Sequence, residues 1–352
     1  MLKLKDTYFH RVSRQTPTGM WINNVTAEEA RLAIESGAVG CTQNPSYPWK
    51  MLNHSKGSQH ARELLMQCVA QHEDDDMAQT ALQRMLVAEI ARVFLPLYEE
   101  SGGRQGYVSI QGKPPARRPG RHPAVRTLQP RGRAKHHGKN SGHAGRTPRH
   151  RGTGRRAGAH QRHRGDERAA DARCVRGVYP RYTRLACPAP LYFSHIAGIF
   201  DEYIAKGAVR DGVDIPKDYL WQAGIAVAKK IDQAVRENKA PVGFISGGAR
   251  GLHHFTEMVG CAAVVTINWQ GTAEELILQD PPVVQRFLQP TPHSVTDALC
   301  DALPDFRKAY FADAIAPEEY EEYGPVALFR ESFEDAWRNA LSLIADMRGA
   351  TR

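Results

Sequence analysis

The segment Ser246-Gly-Gly-Ala-Arg250 stands where an apolar run, Val242-Gly-Phe-Ile-Ser246, gives way to helix-forming residues. Small residues there let the main chain approach an anion. A helix N-terminus offers N–H groups and the arginine a two-pronged donor, so the segment can seat a phosphate. It also fits a plain strand-to-helix turn with a surface arginine, since Gly-Gly turns are common. Other apolar runs end in the same manner: Met20-Trp-Ile22 in Asn23-Asn24, Val39-Gly-Cys41 in Thr42-Gln43-Asn44-Pro45, Gly106-Tyr-Val-Ser-Ile110 in Gln111, Leu191-Tyr-Phe193 in Ser194, and Val264-Val-Thr-Ile267 in Asn268. Polar groups closing a series of apolar strands are what the rim of an active site requires.

Metal chemistry is not expected. His136, His137, His143, His150, His160 and His163 are irregularly spaced and mostly lack accompanying carboxylates. His253-His254 reads as a satisfied or exposed helix pair.

The elements that would position these ends alternate. Thr26-Ala-Glu-Glu29 is a capping box opening a helix that stops at Gly37, and Thr272-Ala-Glu-Glu275 is a second. Leu82, Met85, Leu86, Ile90, Val93 and Leu97 share one face of a long helix that ends at Gly102-Gly103. Leu220, Ala223, Val227, Ile231 and Ala234 mark another helix, a further one starts near Arg250, and Phe329, Phe333, Trp337, Leu341 and Ile344 mark the last. Lys229 and Lys230 are expected as surface charges. Six strands alternating with helices predict an α/β fold with parallel βα units. Two more strands would complete a (β/α)8 TIM barrel, which the 352-residue length suits. An open doubly wound sheet would need a Gly-x-Gly-x-x-Gly signature that the chain lacks.

The missing pair falls in an anomalous block. Lys113 to Cys187 holds 18 Arg and 3 Lys against 3 acids, a net of +18, while the remainder of the chain carries −9. The block has no Ile, Met, Phe or Trp, so at face value it cannot bury enough apolar surface to offset its ordering entropy. A solvated loop and an arginine-rich nucleic-acid arm both fit that composition. A third reading is translation in a shifted frame. Back-translating Ala159 to Glu167 and advancing one nucleotide gives CNC AYC ARC GNC AYC GNG GNG AYG, which can spell Pro-Ile-Asn-Ala-Thr-Glu-Val-Met. Lys135 to Ala144 can likewise become Asn-Ile-Met-Val-Lys-Ile-Pro-Val-Thr. One shift restores two apolar strands, and histidine codons arise naturally from shifted Ile and Thr codons; the frameshift is favoured over both alternatives. As printed, the loss of strands four and five would leave two sheet edges open.

Three divisions follow: 1–112 with barrel strands 1–3, the basic block 113–187, and 188–352 with strands 6–8 and C-terminal helices. No run of about 18 apolar residues exists, so no membrane span is expected. Met1 to Met20 lacks a signal-peptide pattern, and six cysteines without a Cys-x-x-Cys pair argue against a disulfide framework; a cytoplasmic protein is expected.

Ile34 to Ser46, Gly106 to Gly112 and Ser246 to Arg250, with the two shifted strings, resemble segments of the transaldolase family in order along nearly the whole chain. That resemblance implies class I aldol chemistry without a cofactor: a barrel lysine forms a Schiff base with a ketose phosphate and passes a dihydroxyacetone unit to an aldose phosphate, as in the pentose phosphate pathway. It assigns substrate hydroxyls to Asn44, the pocket wall to Ser194, and phosphate to Gly248 and Arg250. The partners it implies are sugar phosphates, with nucleic acid disfavoured and homo-oligomerisation left open. The sequence departs from the pattern at the catalytic positions. Asn23 replaces an aspartate, Gln111 a glutamate, and Ile199 a second phosphate arginine. Gln111 makes the chain look more like fructose-6-phosphate aldolase, an enzyme of cleavage without transfer. The Schiff-base lysine would be encoded across Lys139 and Asn140, so the printed chain is predicted inactive. The non-enzyme alternative is a basic nucleic-acid-binding protein.

Overall fold

The computed structural model describes residues 4–113, 191–316 and 319–351, with the backbone alone of two strands at 124–128 and 160–163. The order begins with helix α1 (Tyr8–Gln15), strand β1 (Gly19–Asn23), helix α2 (Ala27–Glu35), strand β2 (Ala38–Gln43), helices α3 (Tyr47–Leu52), α4 (Ser58–Gln71) and α5 (Asp75–Glu100), and strand β3 (Tyr107–Gln111). Two strands follow inside the basic block, β4 (Ala124–Leu128) and β5 (His160–His163). Then come β6 (Leu191–His195), β7 (Gly243–Ser246) and β8 (Ala263–Asn268), separated by helices that include Ala197–Arg210 and Ala223–Glu237.

Six of these strands, in the order β6-β7-β8-β1-β2-β3, form one curled, all-parallel sheet, the greater part of a β/α barrel. Their near-continuous apolar runs suit a sheet covered on both faces. The ring closes through β4 and β5. The closure is irregular and departs from the all-parallel pattern of the other six strands: β4 runs antiparallel to β3 and to β5. Only the 12 residues from 112 to 123 separate β3 from β4, near the minimum for a parallel crossover and ample for an antiparallel return.

Local signals explain the helix ends. Thr26 Oγ1 accepts from the Glu29 N–H at 3.1 Å and Glu29 Oε2 from the Thr26 N–H at 2.8 Å, closing the first capping box. Gly37, at φ +101°, then turns the chain out of α2. The second box does not form. Gln270 is extended, Gly271 has φ +72°, and the helix Glu274–Gln279 starts from Ala273, leaving Thr272 outside the cap. Asp74 caps α5 through the Met77 N–H at 2.8 Å.

The C-terminal helix, Gly324–Thr351, reaches α3, α4 and α5 from the part before the basic block and Ala197–Arg210 from the part after it. Trp337 Nε1 donates to Asp76 at 2.8 Å, and Arg348 pairs with Asp75 at 2.6 Å. Among the described residues no helix is long and apolar enough to cross a membrane. Cys41, Cys68, Cys261 and Cys300 are free thiols; Cys174 and Cys187 lie outside the described residues.

Candidate functional site

The inner surface of the sheet changes character along its strands. Trp21, Tyr107 and Ile245 form a cluster apart from the main core, with Val39, Tyr192 and Val264 packed against it. The Trp21 and Tyr192 rings lie 5.5 Å apart. Gly40 and Gly243 make room for them: a Cβ on either would stand 2.4 Å and 2.6 Å from those two rings respectively. Side chains alternate along a strand, so the same face carries Asn23, Thr42, Ser109, Ser194 and Thr266 one step further on. Thr42 and Thr266 hydroxyls approach to 3.4 Å, and Ser109 and Ser194 are fully buried. The apolar floor thus gives way to an uncharged polar layer toward the strand ends.

The rim residues form two groups. Asn23 Nδ2 donates to Asn268 Oδ1 at 2.9 Å, joining the tips of β1 and β8. Next to it Asn24 adopts φ +47°, a left-handed conformation that asparagine tolerates, and its amide donates to Asn44 Oδ1 at 2.8 Å and to Ser46 Oγ at 3.2 Å. The Asn44 N–H returns a bond to Asn24 Oδ1 at 2.9 Å. Lys50 Nζ donates to the Asn24 carbonyl at 2.6 Å. Gln111 is buried at the tip of β3, where its main-chain carbonyl accepts from Gln83 Nε2 at 2.7 Å.

Across the sheet, Ser194 of β6 registers with Ile245 of β7, and the Ser246–Arg250 loop follows β7. The loop rests on the start of the helix Ala197–Arg210. A Cβ on Gly198 would stand 2.1 Å from the Gly248 carbonyl oxygen, and Gly248 has φ +68°. The helix expected near Arg250 begins only at His253 and is one turn long, so the loop lacks the extended helix N-terminus that the sequence reading invoked. Arg250 Nε pairs with Glu202 at 2.7 Å and its Nη1 donates to the Gly248 carbonyl at 3.2 Å. Lys206, and then Arg250, hold the Glu202 carboxyl below the usual carboxylate range.

Asp201, His253 and His254 cluster beneath this loop, their ligand-type atoms within 4.8 Å of one another. His254 is nonetheless engaged at both nitrogens: Nδ1 faces the Arg250 N–H at 3.2 Å and Nε2 faces Asp201 Oδ2 at 3.0 Å. A metal on Nε2 would force the ring proton onto Nδ1, against a main-chain donor. The trio is therefore built for hydrogen bonding.

The sequence reading missed Gln83, Lys50, Asp201 and Glu202. Gln79 and Gln83, spaced i and i+4 on the buried face of α5, break an otherwise apolar stripe and were the available signal for the first of these. The acids Asp201 and Glu202 sit in an ordinary helix and carry none. Lys229 and Lys230 are half-buried and not simply surface charges. Lys229 donates to the Gln289 carbonyl at 2.5 Å, with burial lowering its pKa, and Lys230 lies 4.9 Å over the Tyr310 ring. Lys139 lies outside the described residues. No protein-family description matches the chain, and no curated protein sequence matches it.

Proposed function

We propose that the chain derives from a class I aldol enzyme built on an all-parallel (β/α)8 barrel, with its centre read one nucleotide out of frame. Within that class the reading is transaldolase: transfer of a dihydroxyacetone unit between sugar phosphates through a lysine Schiff base, in the cytoplasm and without a cofactor. The observation that carries it is the uncharged polar layer of Thr42, Ser109, Ser194 and Thr266 below a rim of Asn23, Asn44 and Gln111, over an apolar floor. Such a layer suits a polyhydroxylated substrate. Asn44 and Ser194 would meet its hydroxyls, and Gly248 with Arg250 its phosphate once Arg250 leaves Glu202. Asn23 and Gln111 occupy the acid–base positions as amides, which can hold a water but cannot exchange a proton with it. The missing amine nucleophile is the lysine encoded across Lys139 and Asn140.

Resequencing the gene across both edges of the block, followed by borohydride trapping with fructose 6-phosphate, tests this. A frame-restored chain should gain the mass of a reduced three-carbon adduct, and the printed chain should gain none. A restored chain without an adduct would overturn the reading. Release of many equivalents of glyceraldehyde 3-phosphate per site with no acceptor present, beyond the one that adduct formation itself frees, would mark aldol cleavage, which Gln111 favours. Salt-sensitive RNA binding without any adduct would mark the basic nucleic-acid-binding alternative.

A further inference from the structure

His254 is 2% exposed and stands between two fixed partners. Its Nδ1 faces the Arg250 N–H at 3.2 Å, and a main-chain N–H can only donate. Nδ1 must therefore carry a lone pair, which places the proton of the neutral ring on Nε2, toward Asp201 Oδ2 at 3.0 Å. The other oxygen of Asp201 accepts from the Gly224 N–H in the first turn of the helix Ala223–Glu237. A relay, buried up to His254, thus runs from that helix through Asp201 and His254 to the main chain of the Ser246–Arg250 loop.

We infer that His254 is a positioning residue for this loop and that it works only as the neutral Nε2–H tautomer. A proton arriving on Nδ1 would set one N–H against another and unfasten Arg250 from beneath. The charged and titratable groups around the ring are few. Asp201 faces it from the helix Ala197–Arg210, and His253 from its own helix, the two imidazoles 3.9 Å apart. Arg250 faces it from the loop, with its guanidinium taken up by Glu202. The helix Ala223–Glu237 presents the uncharged Gly224, and Trp221 just before it packs on His253 at 4.8 Å. The consequence for substrate, release of the phosphate seat on acidification, rests on the function proposed above; the fastening itself does not.

Amide hydrogen exchange of the full chain, read residue by residue by NMR between about pH 8 and about pH 5, the span in which histidines titrate, tests the inference. After correction for intrinsic rates, protection of the Arg250 N–H should fall roughly tenfold on acidification, the effect of one lost, part-buried hydrogen bond. The Ile245 amide of β7, which reports global opening, should hold. His254→Asn keeps an acceptor near the Nδ1 position and cannot titrate, so its Arg250 protection should be flat with pH. Protection that does not move in the unmodified chain while the His254 ring titrates, or that falls together with Ile245, would overturn the inference, as would an unchanged pH response in His254→Asn. Inorganic phosphate added at each pH separates the two proposals: pH-dependent protection with no phosphate shift in the loop amides would keep the fastening and remove the anion seat.

Discussion

Gln83 Nε2 donates to the main-chain carbonyl of Gln111 at 2.7 Å and lies 3.4 Å from that of Asn44, so one glutamine of α5 holds the tips of β2 and β3 at a fixed spacing. The bond is buried, where an unmade donor or acceptor is costly. Gln83→Met keeps the length of the side chain and removes the donor. Unfolding by urea should show a loss of about 1–3 kcal/mol with an unchanged denaturant slope. An unmoved midpoint would mean that the spacing is held by the sheet alone.

Two glycines of the helix Ala197–Arg210 should respond in opposite directions. Gly198→Ala places a methyl 2.1 Å from the Gly248 carbonyl oxygen, so the loop must move, at a cost of about 1–3 kcal/mol. Gly207→Ala meets nothing nearer than Arg210 Nη2 at 4.0 Å and should stabilise by roughly 0.5–1 kcal/mol, because it restricts the unfolded chain. Thermal melts of the two variants, run side by side, check this.

Burial pushes the phenol of Tyr8 up to about 12 and that of Tyr192 likewise to about 12, from an ordinary 10.0. Folding favours their neutral forms. The stability this linkage contributes is complete below the ordinary value and drains away as pH climbs from there toward 12. An alkaline titration followed by tyrosinate absorbance should show these two rings ionising late, with unfolding. Early ionisation of Tyr192 would mean that the floor beneath the polar layer admits water.

The thiol of Cys41 is fully buried and held well above its ordinary value, and burial likewise raises that of Cys261. Thiolate is the reactive form, so neither should alkylate in the folded chain at neutral pH. Peptide mass spectrometry after a timed iodoacetamide pulse, with and without denaturant, gives the readout. Rapid native labelling of Cys41 would show that β2 opens locally.

Strand positions were legible because a parallel sheet buried on both faces imposes apolar runs that stop abruptly at polar tips; β1, β2, β3, β6, β7 and β8 all lie within a residue or two of those runs. Thr26 and Glu29 were legible because a capping box is local. Thr272 shows the limit of that rule, since Gly271 takes the left-handed turn first and the helix starts past the threonine. Asp201 and His254 stand 53 residues apart, and nothing in either neighbourhood announces the other. Arg250 was legible as a residue type, but its partner Glu202, 48 positions earlier, was not, and that partner decides where the guanidinium points. The antiparallel β4 escaped for another reason: strand polarity follows from connection length and packing, and composition carries neither.

The helix Gly324–Thr351 grips both portions of the body, through Asp75 and Asp76 on one side and Ala197–Arg210 on the other. Neither portion can therefore loosen without disturbing a surface the other also uses, so the two are expected to melt in one cooperative transition.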